Sequence, residues 1–147
     1  QLSSAAPATT APDPRPLARF GDSYALRSWE STVADRDVEV SFELAKVGAD
    51  DRAHAYFIQI VTPSGELLAN LNTYPAYGAL STGYLPQGAV LRETYRLTAS
   101  APIPSGSRLL IGLWEPPDGA RRLPALDRAG QPLLDSAYSA PWPFRQE

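Results

Sequence analysis

The sequence predicts an all-β protein, a single β-sandwich of jelly-roll or immunoglobulin-like type with about seven to eight strands. Apolar and polar residues alternate over short runs, and turn-forming residues recur about every 8–12 positions, as in sandwich folds. Fifteen prolines punctuate the 147 residues. No window sustains the i, i+3, i+4, i+7 apolar spacing of an amphipathic helix, so helices are not expected.

Each predicted strand has its own pattern. Residues 38–44 alternate apolar and polar side chains, which predicts a strand with one face in the core and the other in solvent. Residues 56–61, YFIQIV, are apolar on both faces and predict a central strand, followed within hairpin distance by residues 66–71. Similar patterns predict strands over residues 90–97 and 108–114, and edge strands over residues 24–29 and 133–138.

The chain divides at residue 20. Residues 1–19 are rich in Pro and Ala and have few large apolar side chains, so they cannot bury enough surface to offset the entropy of ordering. This segment is therefore interpreted as a flexible linker, and residues 20–147 as the β-sandwich domain.

Composition excludes several classes of function. The net charge is −3, whereas nucleic acid binding needs a clustered cationic surface, so no nucleic acid partner is expected. Cysteine is absent, which removes disulfides, thiolate nucleophiles and sulfur-ligated metals. The apolar runs are too short to cross a bilayer, so no direct membrane insertion by this chain is expected.

Several short motifs follow one another along the chain. They are Ile58-Gln59-Ile60, Ser64-Gly65, Pro75, Gly78, Thr82, Pro86, Gly88, Tyr95, Pro104, Gly106, Gly112-Leu113-Trp114 and Arg122-Leu123-Pro124. In this order the chain resembles a β-sandwich domain family that follows the membrane portion of many bacterial glycosyltransferases of the dolichyl-phosphate-mannose-protein mannosyltransferase type, and that also occurs in related envelope proteins. The resemblance covers about residues 20–139.

The resemblance implies an extracytoplasmic, non-catalytic accessory domain in the cell envelope, tethered through an upstream membrane segment. Its implied partners are a glycan or glycosyl acceptor and the membrane part of its own parent protein, and no cofactor is implied. The chain departs from the family pattern at three positions. Asn72 replaces the usual Asp, Gln59 replaces an expected His, and Tyr84 replaces the usual Trp.

The segment from Asn70 to Leu85 is the first candidate site, because it carries three tyrosines. Aromatic rings stack on sugar C–H faces, so Tyr74, Tyr77 and Tyr84, with Trp114, form a candidate glycan-binding platform. The alternative is that these tyrosines pack over the core beneath a crossover between sheets. In that case the domain is a structural or protein–protein interaction module with no sugar ligand.

Arg122 and Asn72 are predicted to have structural roles. Arg122 follows the turn PPDGAR and is expected to hold loop carbonyls or a carboxylate, fixing this hairpin to the tyrosine loop. The alternative for Arg122 is an exposed, solubilising side chain.

Catalytic and metal chemistry has little support. His54, the sole histidine, is predicted to lie on the surface at the start of a strand, and no G-x-S-x-G elbow accompanies it. No metal site is predicted, because the oxygen donors available for calcium lack EF-hand spacing. The carboxylates considered for acid–base chemistry are interpreted as solvated; they are Asp35, Asp37, Asp50, Asp51, Glu115 and Asp118. The calcium donors considered are Asp22, Asn70, Asn72, Asp127 and Asp135.

Overall fold

The structure, a computed structural model, describes residues 15–78, 81–117 and 121–144. These residues form two antiparallel sheets with almost no helix, which confirms the all-β class. Sheet A has the strand order β6-β3-β2-β1-β8, and sheet B has the order β5-β4-β7-β9. The nine strands are β1 (Ala18–Phe20), β2 (Tyr24–Ala34), β3 (Asp37–Lys46), β4 (Ala55–Val61), β5 (Leu67–Thr73), β6 (Val90–Thr98), β7 (Arg108–Trp114), β8 (Ala125–Leu126) and β9 (Tyr138–Pro141). Short 3₁₀ turns cover Pro75–Gly78, Thr82–Tyr84 and Leu134–Ser136.

The core lies between the two sheets and is rich in aromatic rings. Trp29 and Phe42 enter it from sheet A, and Tyr56 enters it from sheet B. The rings of Phe42 and Tyr56 meet edge to face with their centroids 5.1 Å apart. Burial of each large apolar side chain contributes roughly 1.5–3 kcal/mol, so this inter-sheet layer supplies most of the drive to fold.

The outer face of sheet B is partly apolar as well. Along β4, Tyr56, Ile58 and Ile60 belong to the inter-sheet core, so the alternating residues Phe57, Gln59 and Val61 point outward. Phe57 and Val61 join Leu110 and Ala137 in a second, smaller buried cluster, against which Trp114 packs. This explains why YFIQIV is apolar on both faces, and β4 is a central strand as predicted.

Three sequence-based predictions about the strands need correction. The strand predicted at residues 24–29 as an edge is longer, and as β2 it lies inside sheet A between β3 and β1. The strand predicted at residues 133–138 is wrong, because positive φ angles at Asp135 and Ser136 place a turn there and the strand begins only at Tyr138. The predicted linker over residues 1–19 overlaps β1, since Ala18 and Arg19 pair with β2.

Candidate functional site

The tyrosine loop carries two rings that the structure describes, and they differ in exposure. Tyr84 is 92% exposed and Tyr74 is 37% exposed, while the side chain of Tyr77 lies outside what the structure describes. The 3₁₀ turn of this loop is tied to sheet A, because the Ala76 amide donates to the Glu93 carboxylate and to the Tyr95 hydroxyl. Part of the loop is therefore anchored, while Tyr84 points into solvent.

A different group of candidate residues converges on the outer face of sheet B. Phe57 lies between Asn72 of β5 and Gly112 of β7 in the register of the sheet, and Trp114 forms a bridge to Arg122. Cross-strand partners point to the same face, so these side chains are neighbours. They surround a shallow cavity of about 350 Å³, named here the sheet B cavity, which is lined by Phe57, Gln59, Asn72, Trp114 and Arg122.

Gly112 makes room for the floor of this cavity. A Cβ atom at this position would lie 2.2 Å from Cζ of Phe57, so the ring can occupy this place only against a glycine. Because the side chain opposite is missing, the aromatic ring covers the backbone of β7. Phe57 is thereby held in one position, and it is only 2% exposed.

Arg122 closes one side of the cavity. Its guanidinium carbon lies 4.0 Å from the centroid of the Phe57 ring, a cation–π arrangement, and its Nη1 donates to the carbonyl of Asp135 at 3.0 Å. Arg122 thus binds a loop carbonyl, but its described contacts go to the turn at Asp135 and to Phe57, and none goes to the tyrosine loop.

The polar groups of this cavity are only partly satisfied. No carboxylate in the described ranges pairs with Arg122, since the carboxylate of Asp135 pairs instead with Arg108 at 3.3 Å. The indole Nε1 of Trp114 is shielded from solvent and has no acceptor among the described residues. The amide of Gln59 donates to Asn70 at 3.3 Å, a weak bond.

Sequence reasoning named three of the five lining residues and missed two. Trp114, Asn72 and Arg122 were candidates, whereas Tyr74 and Tyr84 are not among the described residues that line the cavity. Phe57 and Gln59 were missed. The signal that could have found them is the polar Gln59 inside an apolar strand, because it marks the outward face and puts Phe57 on that same face. Gln59 and Asn72 both line this cavity.

A second polar cluster lies at the end of the sandwich where β4 begins, and it corrects the prediction for His54. The imidazole is fully buried, with 0% exposure, and is not a surface group. Its Nδ1 lies 3.1 Å from the hydroxyl of Tyr24, and its Nε2 lies 3.6 Å from Oε1 of Glu115. The prediction failed because Tyr24 and Glu115 are distant in sequence and cover the ring only in the folded chain.

Arg52 joins the two carboxylates of this cluster. It forms ion pairs with Asp50 at 3.2 Å and with Glu115 at 3.1 Å. Glu115 also forms an ion pair with Arg121 at 3.4 Å. Burial acts to raise the pKa of the Asp50 carboxyl, but hydrogen bonds from the side chain and backbone of Arg52 and from Ser23 outweigh it and lower the pKa to about 2. Asp50 is therefore ionised at neutral pH and cannot act as a general acid.

Lys46, the only lysine, connects this cluster to the tyrosine loop. Its ammonium group donates to the carbonyls of Asp50 at 2.5 Å and Thr82 at 2.7 Å, and the side chain is almost fully buried. An open cleft of about 1110 Å³ lies beside it. The lining of this cleft is Gly21, Asp22, Ser23, Lys46, Ala49, Asp50, Asp51, Arg52, Gly83, Leu85, Pro86, Gln87, Leu123, Pro124 and Leu126.

The remaining acidic candidates are spread over the molecule. Asp37 accepts a hydrogen bond from Thr98, and Asp127 accepts two from the backbone of its own turn. Asp118 lies outside the described residues. Within residues 15–78, 81–117 and 121–144, no group of three His, Cys, Asp or Glu side chains is placed to hold a metal ion. The same residues include no helix long and apolar enough to cross a membrane.

The fold and the cavity together define an all-β domain with a small cavity on the outer face of one sheet, lined by two aromatic rings, two amides and a guanidinium. Compared with models of protein families and with curated proteins, the chain matches none.

Proposed function

We propose that this chain is a non-catalytic, extracytoplasmic accessory domain of a membrane glycosyltransferase-like protein, and that it binds a glycan in the sheet B cavity. The cavity carries the proposal. It places the aromatic ring of Trp114, above a floor formed by the buried ring of Phe57, beside two amides and a guanidinium, and this combination of an apolar wall and hydrogen-bonding edges suits a sugar. A volume of about 350 Å³ is within the usual range of ligand sites.

A binding role without catalysis is supported by the chemistry of the lining. Glycoside hydrolysis needs two carboxyl groups that flank the bond to be broken. The described lining of the sheet B cavity contains no carboxylate and no imidazole. Catalysis is therefore assigned to another part of the parent protein.

The setting in the cell envelope is supported by the sequence resemblance and by the Pro- and Ala-rich composition of residues 1–19. It predicts that the gene encodes a polytopic membrane segment upstream of this domain. Sequencing of the complete gene tests this, and a parent protein without such a segment would contradict it.

The glycan-binding proposal is tested by screening the purified chain on a glycan array beside two single variants. Trp114→Ala removes an aromatic wall of the cavity, whereas Tyr84→Ala removes the most exposed of the tyrosines that the structure describes, which does not line it. We expect Trp114→Ala to abolish binding and Tyr84→Ala to leave it unchanged, with the melting temperature of each variant measured in parallel.

Two results would contradict the proposal. Loss of binding in Tyr84→Ala alone would move the site to the tyrosine loop. Absence of binding to any glycan would favour the structural or protein–protein interaction role.

A further inference from the structure

We infer that the sheet B cavity selects an anionic sugar, one that carries a carboxylate or a phosphate, over a neutral sugar of the same shape. The inference rests on the proposed function and names the class of its ligand. Two observations carry it: the uncompensated charge of Arg122 and the fixed orientation of its guanidinium.

The charge of Arg122 has no counter-ion in the described ranges. Among the described residues, eight ion pairs join an Arg or His to a carboxylate, and none of them includes Arg122. Asp135 accepts from Arg122 only through its backbone carbonyl, while its carboxylate pairs with Arg108. The cavity therefore carries one full positive charge and no negative charge from its lining residues.

The guanidinium is already oriented for a ligand. Stacking on Phe57 and the hydrogen bond to the Asp135 carbonyl restrict the rotation of the Arg122 side chain. One of the five N–H groups is used by that carbonyl, and others stay available at the cavity edge. A planar guanidinium can offer two parallel N–H groups to one carboxylate or phosphate, and pre-orientation lowers the entropic cost of doing so.

The rest of the lining does not discriminate by charge. The amides of Gln59 and Asn72 each offer a donor nitrogen and an acceptor oxygen, so they can bind the hydroxyl groups of an acidic or a neutral sugar. The preference for an anion therefore rests on Arg122, because only an anionic group can pair with its guanidinium.

The experiment uses an array that carries acidic glycans and their neutral counterparts in pairs. Uronate-bearing glycans are printed beside carboxyl-reduced forms, and sugar phosphates are printed beside phosphatase-treated forms. We expect the wild-type chain to bind the acidic member at least about tenfold more tightly. Binding of the acidic member should weaken by no more than about twofold between 25 and 250 mM NaCl, as screening of one exposed charge pair predicts. The two kinds of pair show whether a carboxylate or a phosphate is preferred.

Arg122→Gln should remove the preference for the acidic member, and Arg122→Lys should retain part of it, because a lysine keeps the charge but loses the paired N–H groups. Arg121→Gln is the matched control. Its guanidinium contacts Glu115 at the other cluster, so the preference should be unchanged. Melting temperatures of all three variants are measured so that a folding defect is recognised.

The outcomes separate the two proposals. Equal binding to both members of each pair, or an unchanged preference in a folded Arg122→Gln variant, would overturn this inference and leave glycan binding in place. Absence of binding to every acidic and neutral glycan would overturn the proposed function itself.

Discussion

Charged and aromatic side chains gather at two places: the end of the sandwich where β4 begins, called here the loop end, and the outer face of sheet B. The two places differ in how many of their polar groups have a hydrogen-bond or ion-pair partner within the protein. At the loop end, Arg52 bridges Asp50 and Glu115, and Lys46 is held by two carbonyls. On the outer face, Arg122 has no carboxylate partner and Trp114 has no acceptor among the described residues.

This difference teaches how a structural cluster can be told from a binding site. Polar groups that are buried and paired with one another fix loops, and changing one of them costs stability. Polar groups that are held beside a cavity without partners lower the stability of the free protein. A ligand that pairs with these groups restores that stability. The charge network of Arg52, Asp50 and Glu115 is therefore interpreted as stabilising the loops, and the smaller group around Arg122 is interpreted as the binding site.

The largest effect on stability is expected at Lys46. Lys46→Met keeps most of the volume but leaves the carbonyls of Asp50 and Thr82 without their charged donor. Because both carbonyls lose a bond from an ammonium group, we expect the free energy of unfolding to fall by about 3 kcal/mol. Equilibrium denaturation in urea measures the change.

The control for Lys46 is a cation that forms an ion pair on the surface. Arg92 pairs with Glu43 at 3.0 Å, but its side chain is 84% exposed. Arg92→Gln should therefore change the free energy of unfolding by no more than about 0.5 kcal/mol. Similar small losses of free energy of unfolding in both variants would show that Lys46 does not stabilise the loop end. The interpretation of the loop end as a structural cluster would then be wrong.

A smaller effect is expected at Gly112, which lies under the sheet B cavity. Gly112→Ala places a methyl group 2.2 Å from the Phe57 ring, so the ring must move. We expect a loss of about 2 kcal/mol in the free energy of unfolding from overpacking, together with weaker glycan binding. Urea denaturation and the glycan array measure the two effects.

A double variant tests the cause. Phe57→Leu removes the ring atoms that the new methyl group meets, so Gly112→Ala should cost less in that background. We expect a coupling free energy of at least about 1 kcal/mol. Additive effects would mean that Gly112 does not provide the space for Phe57.

The sequence predicted the fold class because its longer strands show their period directly. Residues 38–44 and 90–97 alternate as half-buried strands should, and they pair as β3 and β6. The strands that were missed, β1 and β8, have three and two residues, too few to show alternation. The error at residues 133–138 arose because positive φ angles at Asp135 and Ser136 leave no clear mark in a segment without glycine.

The site was harder to predict because it depends on register between strands. Trp114, Asn72 and Arg122 were each visible in the sequence, but their meeting point is set by the pairing of β4 with both β5 and β7. A cluster of tyrosines within one short segment gave a stronger local signal. Whether those rings can bind a ligand depends on their exposure and on how the loop is held. The loop is held by contacts between residues distant in sequence, such as Ala76 with Glu93, which a local pattern does not reveal.

The smallest effect is the dependence of stability on pH, and it reports on the buried histidine of the loop end. Burial lowers the pKa of His54 below 6.5; Asp50 and Glu115 act to raise it, and Arg52 acts to lower it. The neighbouring hydroxyl of Tyr24 is also buried, and burial raises its pKa, so it stays neutral. Just below pH 6.5, His54 binds a proton in the unfolded chain but stays neutral in the folded chain. The free energy of unfolding should therefore be full above about pH 6.5 and fall as the pH decreases from there, by at most about 1.4 kcal/mol per pH unit.

The titration can be assigned without ambiguity, because His54 is the only histidine in the chain. The ring proton signals of His54, followed by NMR in the folded protein, should titrate with a midpoint below 6.5, and urea denaturation between pH 5 and 7 should show the slope. In His54→Gln the slope should vanish over that range. A midpoint above 6.5 would mean that Glu115 and Asp50 govern the imidazole more than its burial does. His54 would then be a charged member of the network, the loop end would gain stability as the pH falls, and the sign of the slope would reverse.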